Sequence, residues 1–410
     1  MQISRYAQLN PLKSCFVLGC VSALSFAPTQ NLVTLIIGFL GFLWLFEGNA
    51  RSLKNGMALY FMYAYGYYGL HLYWVSLSVI PAGMAYLAPL GMLTFPLIFC
   101  ILSLWIGALL YRIKPYQALY PFAFGIMIWI QEWIIGHVIL GGFPWVMTGY
   151  AWNEWGMQLS AYIGIYGLSA ITHFWMALLY KPTQKKNILA ILIFSSICAF
   201  GYIRYTFTPL KYTQTTIRIV HPNVNQCDKH RADQAVPLLE CHKSLSTLPS
   251  ENPIQLVVWP EAALMYPLNL NQDLQKQIAS VVPDQGYAVI GAPRYNRTQT
   301  PTLYTSAYVL SQNQLIDVYD KIHLVPFGEY LPFKDVLHVL GLKKLTQGLL
   351  DFSPGAERNT LELNNIPPFV ILICYEIIFS GNVNKTVGSK KPQWILNITN
   401  DAWYLGLTGP

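Results

Sequence analysis

The chain has 410 residues, 54% of them hydrophobic and 11% charged, with a mean hydropathy of +0.36. So small a charged fraction excludes an ordinary soluble enzyme, in which about 25% is usual, and so apolar a composition excludes a disordered chain. A net charge of +7 suggests nucleic acid, but ten basic and three acidic residues lie through Tyr205 and sixteen of each beyond it, so the whole excess belongs to the hydrophobic half and reads as membrane topology.

A membrane helix needs about 20 apolar residues, and a Lys, Arg or Asp at its centre costs about 2.5–3.5 kcal/mol on insertion scales. Charge-free runs at 14–27, 32–46, 57–80, 87–111, 119–140, 160–180 and 187–205 therefore predict seven helical segments. The first two are short and are separated by the turn signal Pro28-Thr29-Gln30-Asn31. Arg5, Lys13, Arg51, Lys54, Arg112, Lys114, Lys181, Lys185 and Lys186 all fall on one side of such a bundle, and the loops around Pro28, Pro81 and Trp152 carry no Lys or Arg. That asymmetry predicts a cytoplasmic start and places everything beyond about Tyr205 outside. The loop 141–156 carries Phe143, Pro144, Trp145, Tyr150, Trp152 and Trp155. It reads either as an interfacial aromatic belt or as a platform for lipid tails, with Trp145 and Trp152 as lipid or substrate contacts. Glu132 and His137 lie near the outer end of a span, where a functional role competes with a structural one.

From Thr216 the pattern changes to short β-branched runs. Strands are predicted at 217–220, 255–259, 287–291, 303–310, 315–319, 369–373 and 393–398, and helices at 233–247 and 273–281. The unbroken apolar runs 256–258 and 369–373 point to strands buried on both faces, as in an α/β sandwich. Three reactive side chains follow three of these strands: Glu261, Lys321 and Cys374. Strand ends in α/β folds aim side chains into one crevice. Together the three make a chemical set in which a thiol attacks a carbonyl, a carboxylate moves its proton, and an ammonium stabilises the thiolate and the tetrahedral oxyanion. Glu329, Tyr330, Tyr375 and Glu376 are supporting candidates, the two acids for orienting Lys321 or tuning protons. His323 offers a weaker, imidazole-assisted alternative. Cys15, Cys20, Cys100 and Cys198 read as small hydrophobes of the apolar half, whereas Cys227 and Cys241 are equally compatible with pairing and with free thiols. No zinc, calcium or haem ligand spacing occurs, and no phosphate-cradling Gly-rich loop.

The motifs Trp259-Pro260-Glu261, Tyr319-Asp320-Lys321-Ile322-His323-Leu324-Val325-Pro326-Phe327-Gly328-Glu329-Tyr330-Leu331-Pro332, Ile373-Cys374-Tyr375-Glu376 and Thr399-Asn400-Asp401-Ala402-Trp403 resemble the nitrilase-like carbon-nitrogen hydrolase superfamily. Preceded by a multi-span membrane domain with Gly142-Phe143-Pro144-Trp145, the chain is similar to the bacterial apolipoprotein N-acyltransferase family. The resemblance implies a transmembrane helical domain over 1–205 and a periplasmic αββα sandwich over 206–410, held on a multi-pass anchor in the inner membrane. It also implies a Glu-Lys-Cys triad at Glu261, Lys321 and Cys374, working without metal or other cofactor. The implied partners are phosphatidylethanolamine as acyl donor, through a Cys374 thioester, and the α-amine of a diacylglyceryl apolipoprotein cysteine as acceptor, with no role for nucleic acid. Ile135 stands where family members commonly have Arg, and His230 where an aromatic is frequent. Ending at Gly409-Pro410, the sequence leads one to expect an incomplete sandwich, since family members continue. The rival expectations are a membrane-tethered nitrilase-type amidase and an inactive truncated remnant.

Overall fold

All seven charge-free runs fold as helix. In a computed structural model describing residues 10–229, 231–312, 314–332, 351–381, 386, 388 and 390–405, they become α1 Pro11–Ala23, α2 Leu32–Asn49, α3 Leu53–His71, α4 Ala88–Cys100, α5 Ser103–Ile113, α6 Tyr120–His137, α7 Ser160–Leu178 and α8 Gln184–Phe207. Helix starts follow local chemistry. Pro stands in the first turn of α1, α4 and α6, where a missing N–H costs nothing. Side chains of Asn31, Ser52 and Thr183 accept first-turn N–H groups of α2, α3 and α8. The run 87–111 forms two helices rather than one, bent by 47°. Gln131 of α6 is inserted at that break: its Nε2 donates to Phe99 O at 3.3 Å, a carbonyl that an unbroken helix would pair internally, and to the Ser103 hydroxyl at 3.0 Å. The α1–α3 contact depends on Gly19, where a Cβ would lie 2.0 Å from Tyr63 O, the close backbone approach typical of small-residue helix seams.

By length and composition α2, α7 and α8 are each apolar enough to cross a bilayer, and the bent pair Ala85–Cys100 with Ser103–Ile113 makes a fourth candidate among the described residues. Helix α8 turns Ile188, Leu189, Ile191, Leu192 and Ile203 outward and buries little beyond Ala190, Ile197 and Gly201. That is the inverse of a water-facing amphipathic helix.

Near Leu210 the chain passes into a second compact unit with two mixed sheets. The first has order β1 (Ile217–Ile219), β2 (Leu256–Val258), β3 (Tyr287–Asn296), β4 (Thr302–Leu310), β5 (Leu315–Asp320), parallel through β3 and antiparallel after it. The second has β6 (Leu361–Leu363) antiparallel to β7 (Ile366–Ile373), and β7 parallel to β8 (Trp394–Ile398). The sheets share a core in which Leu256, Val258, Val289 and Val309 meet Phe369, Ile371, Ile373 and Ile398. Val257, Trp259, Ala288 and Ile290 point the other way, onto α9 (Ala235–Ser246) and α10 (Gln272–Ala279). This two-sided burial explains why the β2 run does not alternate.

Strand β3 runs five residues beyond its predicted end because β4 pairs with it as far as Asn296, past the point where β2 stops at the Val258–Val289 pair. Pro293 pairs with Thr305 of β4 on a stretch with no β2 neighbour, where its absent N–H breaks no ladder. The side chain of Cys227, residue His230, the segment from Phe333 and the chain end at Gly409-Pro410 lie outside the described residues.

Candidate active site

Trp259 N donates to Val289 O at 2.8 Å and Ala263 N to Gly291 O at 2.9 Å, so the chain after β2 still lies along β3 as it reaches Glu261. Gly291 permits this, since a Cβ there would be 2.1 Å from Pro260 O and 2.8 Å from Glu261 Cα. Lys321 follows β5 and is fixed by its own backbone: its N donates to Thr305 O at 2.9 Å, and its O accepts from Gly355 N at 2.8 Å. Cys374 ends β7 at φ +57°, a left-handed conformation that costs a non-glycine residue about 1–3 kcal/mol. Ala262, next to Glu261, and Phe327, two residues before Glu329, have φ of +49° and +64°.

These strand ends converge. The Lys321 side chain is 1% exposed, and its Nζ lies 3.2 Å from Glu261 Oε1, 3.2 Å from Glu329 Oε1 and 3.1 Å from Glu329 Oε2. Thr305 Oγ1 donates to Glu329 Oε1 at 2.7 Å and Val325 N to Glu329 Oε2 at 2.8 Å. Asn400 N, just past β8, donates to Glu261 Oε2 at 3.0 Å. The Cys374 thiol lies within electrostatic reach of Glu261, Lys321 and Glu329, with the side chain of Thr399 beside it. Tyr404 comes within reach of the same three residues of the Glu-Lys-Cys set.

Burial governs the protons here. It would push the Lys321 ammonium down, but Glu261 and Glu329 together hold it well above the ordinary lysine value. Glu261 is pushed up by burial, with Lys321 opposing and the Glu329 charge adding. Burial pushes the Cys374 thiol to about 12, Glu261 adding and Lys321 opposing. These shifts keep the Lys321 ammonium charged and the Cys374 thiol protonated beside Glu261 and Glu329.

Glu376 has a different place from Glu329. Fully buried, it accepts from Tyr319 Oη at 2.8 and 2.9 Å, Ile322 N at 2.9 Å, His323 N at 3.1 Å, Ile373 N at 2.9 Å and Arg358 Nη2 at 3.3 Å. It ties the loop after Lys321 to the strand end before Cys374 from behind. Tyr375 Oη donates to Leu324 O at 2.6 Å, and its ring centroid is 5.8 Å from Lys321 Nζ. Tyr330 closes the Glu329 loop through a bridge to Pro326. The His323 ring stacks on Phe379 at 4.2 Å, in a structural contact. Among the described residues no group of three or more His, Cys, Asp or Glu is gathered to hold a metal. Sequence reading left out Thr305, Arg358 and Tyr404, and quoted Thr399 and Asn400 only as motif members, because none of them follows an apolar strand as a reactive side chain and their partners are distant in sequence.

In the helical unit, Trp145 is half-buried against Trp74 at 5.3 Å. Trp152 requires a correction as a lipid or substrate contact: it is 2% exposed, its indole N–H donates to Thr172 Oγ1 at 2.7 Å, and its ring packs on Trp175 and Phe194. A buried indole needs an acceptor, and α7 supplies one. Glu132 is buried too. Its Oε1 accepts from Thr148 N at 3.0 Å and from Thr148 Oγ1, with His173 Nε2 at 3.2 Å, while Gly149 N donates to Ser169 Oγ at 2.8 Å. The aromatic loop is therefore clamped by a polar stripe inside the bundle. His137 is exposed and stacks on Trp133.

Residues 18–178 match the apolipoprotein N-acyltransferase N-terminal domain family, and residues 223–410 the carbon-nitrogen hydrolase family. An apolipoprotein N-acyltransferase of Rhodopseudomonas palustris is 30% identical over 96% of this chain and 78% of its own length. One from Rickettsia prowazekii is 30% identical over 97% and 80%. A crystal structure of an amidase from Nesterenkonia sp. shares 16% identity over 46% of this chain and 62% of its own, with a TM-score of 0.29.

Proposed function

The chain belongs to the apolipoprotein N-acyltransferase family, and from that premise we propose that Cys374 takes an acyl chain from a phospholipid as a thioester and passes it to the α-amine of the diacylglyceryl cysteine of an apolipoprotein. The enzyme class is acyltransferase and the process lipoprotein N-acylation. One observation carries the mechanism: a thiol on a strained strand-end turn beside two carboxylates that share a single buried ammonium.

Glu261 takes the Sγ proton, a transfer that leaves the net charge of the cluster unchanged. This matters because burial opposes any net gain of charge. Sγ attacks the ester carbonyl, and Lys321, charged throughout, faces the oxyanion. Collapse breaks the bond to the glycerol oxygen, which receives the proton from Glu261 and leaves as a lysophospholipid. The incoming amine then attacks the thioester carbonyl and Glu261 takes its proton. Cys374 departs as thiolate and recovers that proton, and an amide remains. Glu329 holds Lys321 as its second counter-ion, Glu376 fixes the two loops, and Tyr330 and Tyr375 wall the site.

We assign residues 1–205 to a multi-pass inner-membrane domain and 206–410 to a periplasmic catalytic domain, with phosphatidylethanolamine as donor. The support is the seven apolar helical runs and the one-sided distribution of nine bases among their loops. Trp145 stands as the aromatic contact toward lipid. The test is to incubate membranes carrying the full chain with acyl-labelled phosphatidylethanolamine. A hydroxylamine-sensitive label on the parent, absent from Cys374→Ala, is expected; equal label on both overturns the assignment.

A further inference from the structure

A second lysine, within electrostatic reach of Glu261, is not used by this mechanism. The short helix Gln226–Lys229 is tied to the site by Gln226, 1% exposed, whose Oε1 accepts from Asn400 Nδ2 at 2.8 Å; the N–H of the same Asn400 holds Glu261 Oε2. Lys229, three residues on from Gln226 and half-buried, lies within electrostatic reach of Glu261, yet makes no hydrogen bond or ion pair among the described residues. Burial pushes its ammonium down to about 8, with Glu261 opposing. The other titratable group that senses it, His242 of α9, offers no compensating charge: burial pushes its pKa down, and its Nδ1 faces Leu238 O at 2.7 Å.

A half-buried ammonium that meets no partner among the described residues is costly unless an anion arrives to meet it. Glu261 is already engaged by Lys321 and Asn400, so Lys229 keeps its donors for something else. In the acyl donor proposed above, a phosphodiester lies only a few bonds from the ester carbonyl that Cys374 attacks. Lysine meets such a group as a compact point charge. We propose that Lys229 binds the donor phospholipid's phosphodiester, seating its ester carbonyl over Cys374. The proposal rests on the thioester reading and adds to it the origin of the preference for a phosphate-bearing donor.

The test compares two acyl donors, phosphatidylethanolamine and a diacylglycerol with the same acyl chains, in mixed micelles with the purified full-length protein. The readout is the rate of hydroxylamine-sensitive label on Cys374 for the parent, Lys229→Gln and Lys229→Arg. Lys229→Gln is expected to lower the phospholipid-to-diacylglycerol rate ratio about tenfold, mainly by raising KM for the phospholipid, and Lys229→Arg to restore most of it. An unchanged ratio in Lys229→Gln overturns the proposal, and so does a parallel fall on both donors, which would assign Lys229 to tuning Glu261 alone. Absence of label on the parent from either donor overturns the thioester reading itself, an outcome distinct from a lost preference.

Discussion

Two buried carboxylate clusters, one in each unit, separate structure from chemistry. In the helical unit Glu132 receives the N–H and hydroxyl of Thr148 and faces His173, and everything it touches holds a loop against a helix. In the α/β unit Glu261 and Glu329 share Lys321, and a thiol at φ +57° lies within their field. A buried acid whose contacts all join a loop to a helix is a clamp. One that faces a buried ammonium and lies beside a nucleophile can exchange a proton without adding charge. Burial alone therefore does not mark a reactive site; the charge balance and the neighbouring nucleophile do.

The sharpest way to break this contrast is to remove one key residue from each cluster. Cys374→Ala is expected to abolish thioester formation, by at least about 10³-fold, at nearly unchanged Tm. Glu132→Ala should do the reverse, lowering Tm while label per folded molecule stays within a few-fold. If Glu132→Ala silenced the thiol as fully as Cys374→Ala, the contrast would fall.

Glu261→Gln should slow acyl-enzyme formation by about 10²-fold, within the span usual for a general base, without loss of Tm, because Lys321 keeps Glu329. Glu376→Ala should cost about 3–5 kcal/mol, read by denaturant midpoint, since it removes the carboxylate that faces the buried Arg358 and frees three backbone N–H groups.

The pH behaviour sharpens the same point. As Glu261 must be ionised to accept the thiol proton, the rate of label uptake should rise with pH through a midpoint above the ordinary carboxylate value, and Glu261→Gln should flatten that limb. For stability the sign runs through Cys374. Its folded value, about 12, exceeds the ordinary 9.0, so the protonated thiol favours the folded state below pH 9, and that contribution is lost as pH rises from 9 toward 12. Cys374→Ala should therefore lose less stability than the parent across that window. The smallest effect concerns the clamp: Thr172→Val removes the acceptor of the Trp152 indole and should cost about 1–3 kcal/mol with label uptake unaffected.

Much of the fold was legible in the residues. Helical runs show because an apolar segment long enough to cross a bilayer tolerates no charge at its centre, and the strand ends at Glu261, Lys321 and Cys374 show because apolar runs stop there. The break between α4 and α5 was not legible, since its cause, Gln131, comes from another helix. Nor was the fate of Trp152: an interfacial indole and a buried one have the same sequence context until Thr172 is brought against it. Glu329 and Glu376 read as interchangeable supporting candidates for orienting Lys321 or tuning protons, yet one grips Lys321 and the other braces the loops behind Cys374.

What the sequence determined by itself is where chain becomes helix or strand and which side chains sit at the ends, because hydropathy, proline and capping act over a few neighbouring residues. Only the tertiary structure decided which polar groups share one cluster, how many carboxylates meet Lys321, and that Lys229 comes within electrostatic reach of Glu261. Coulomb and hydrogen-bond energies depend on separation in space, and the 139 residues between Glu261 and Asn400 vanish into a 3.0 Å contact.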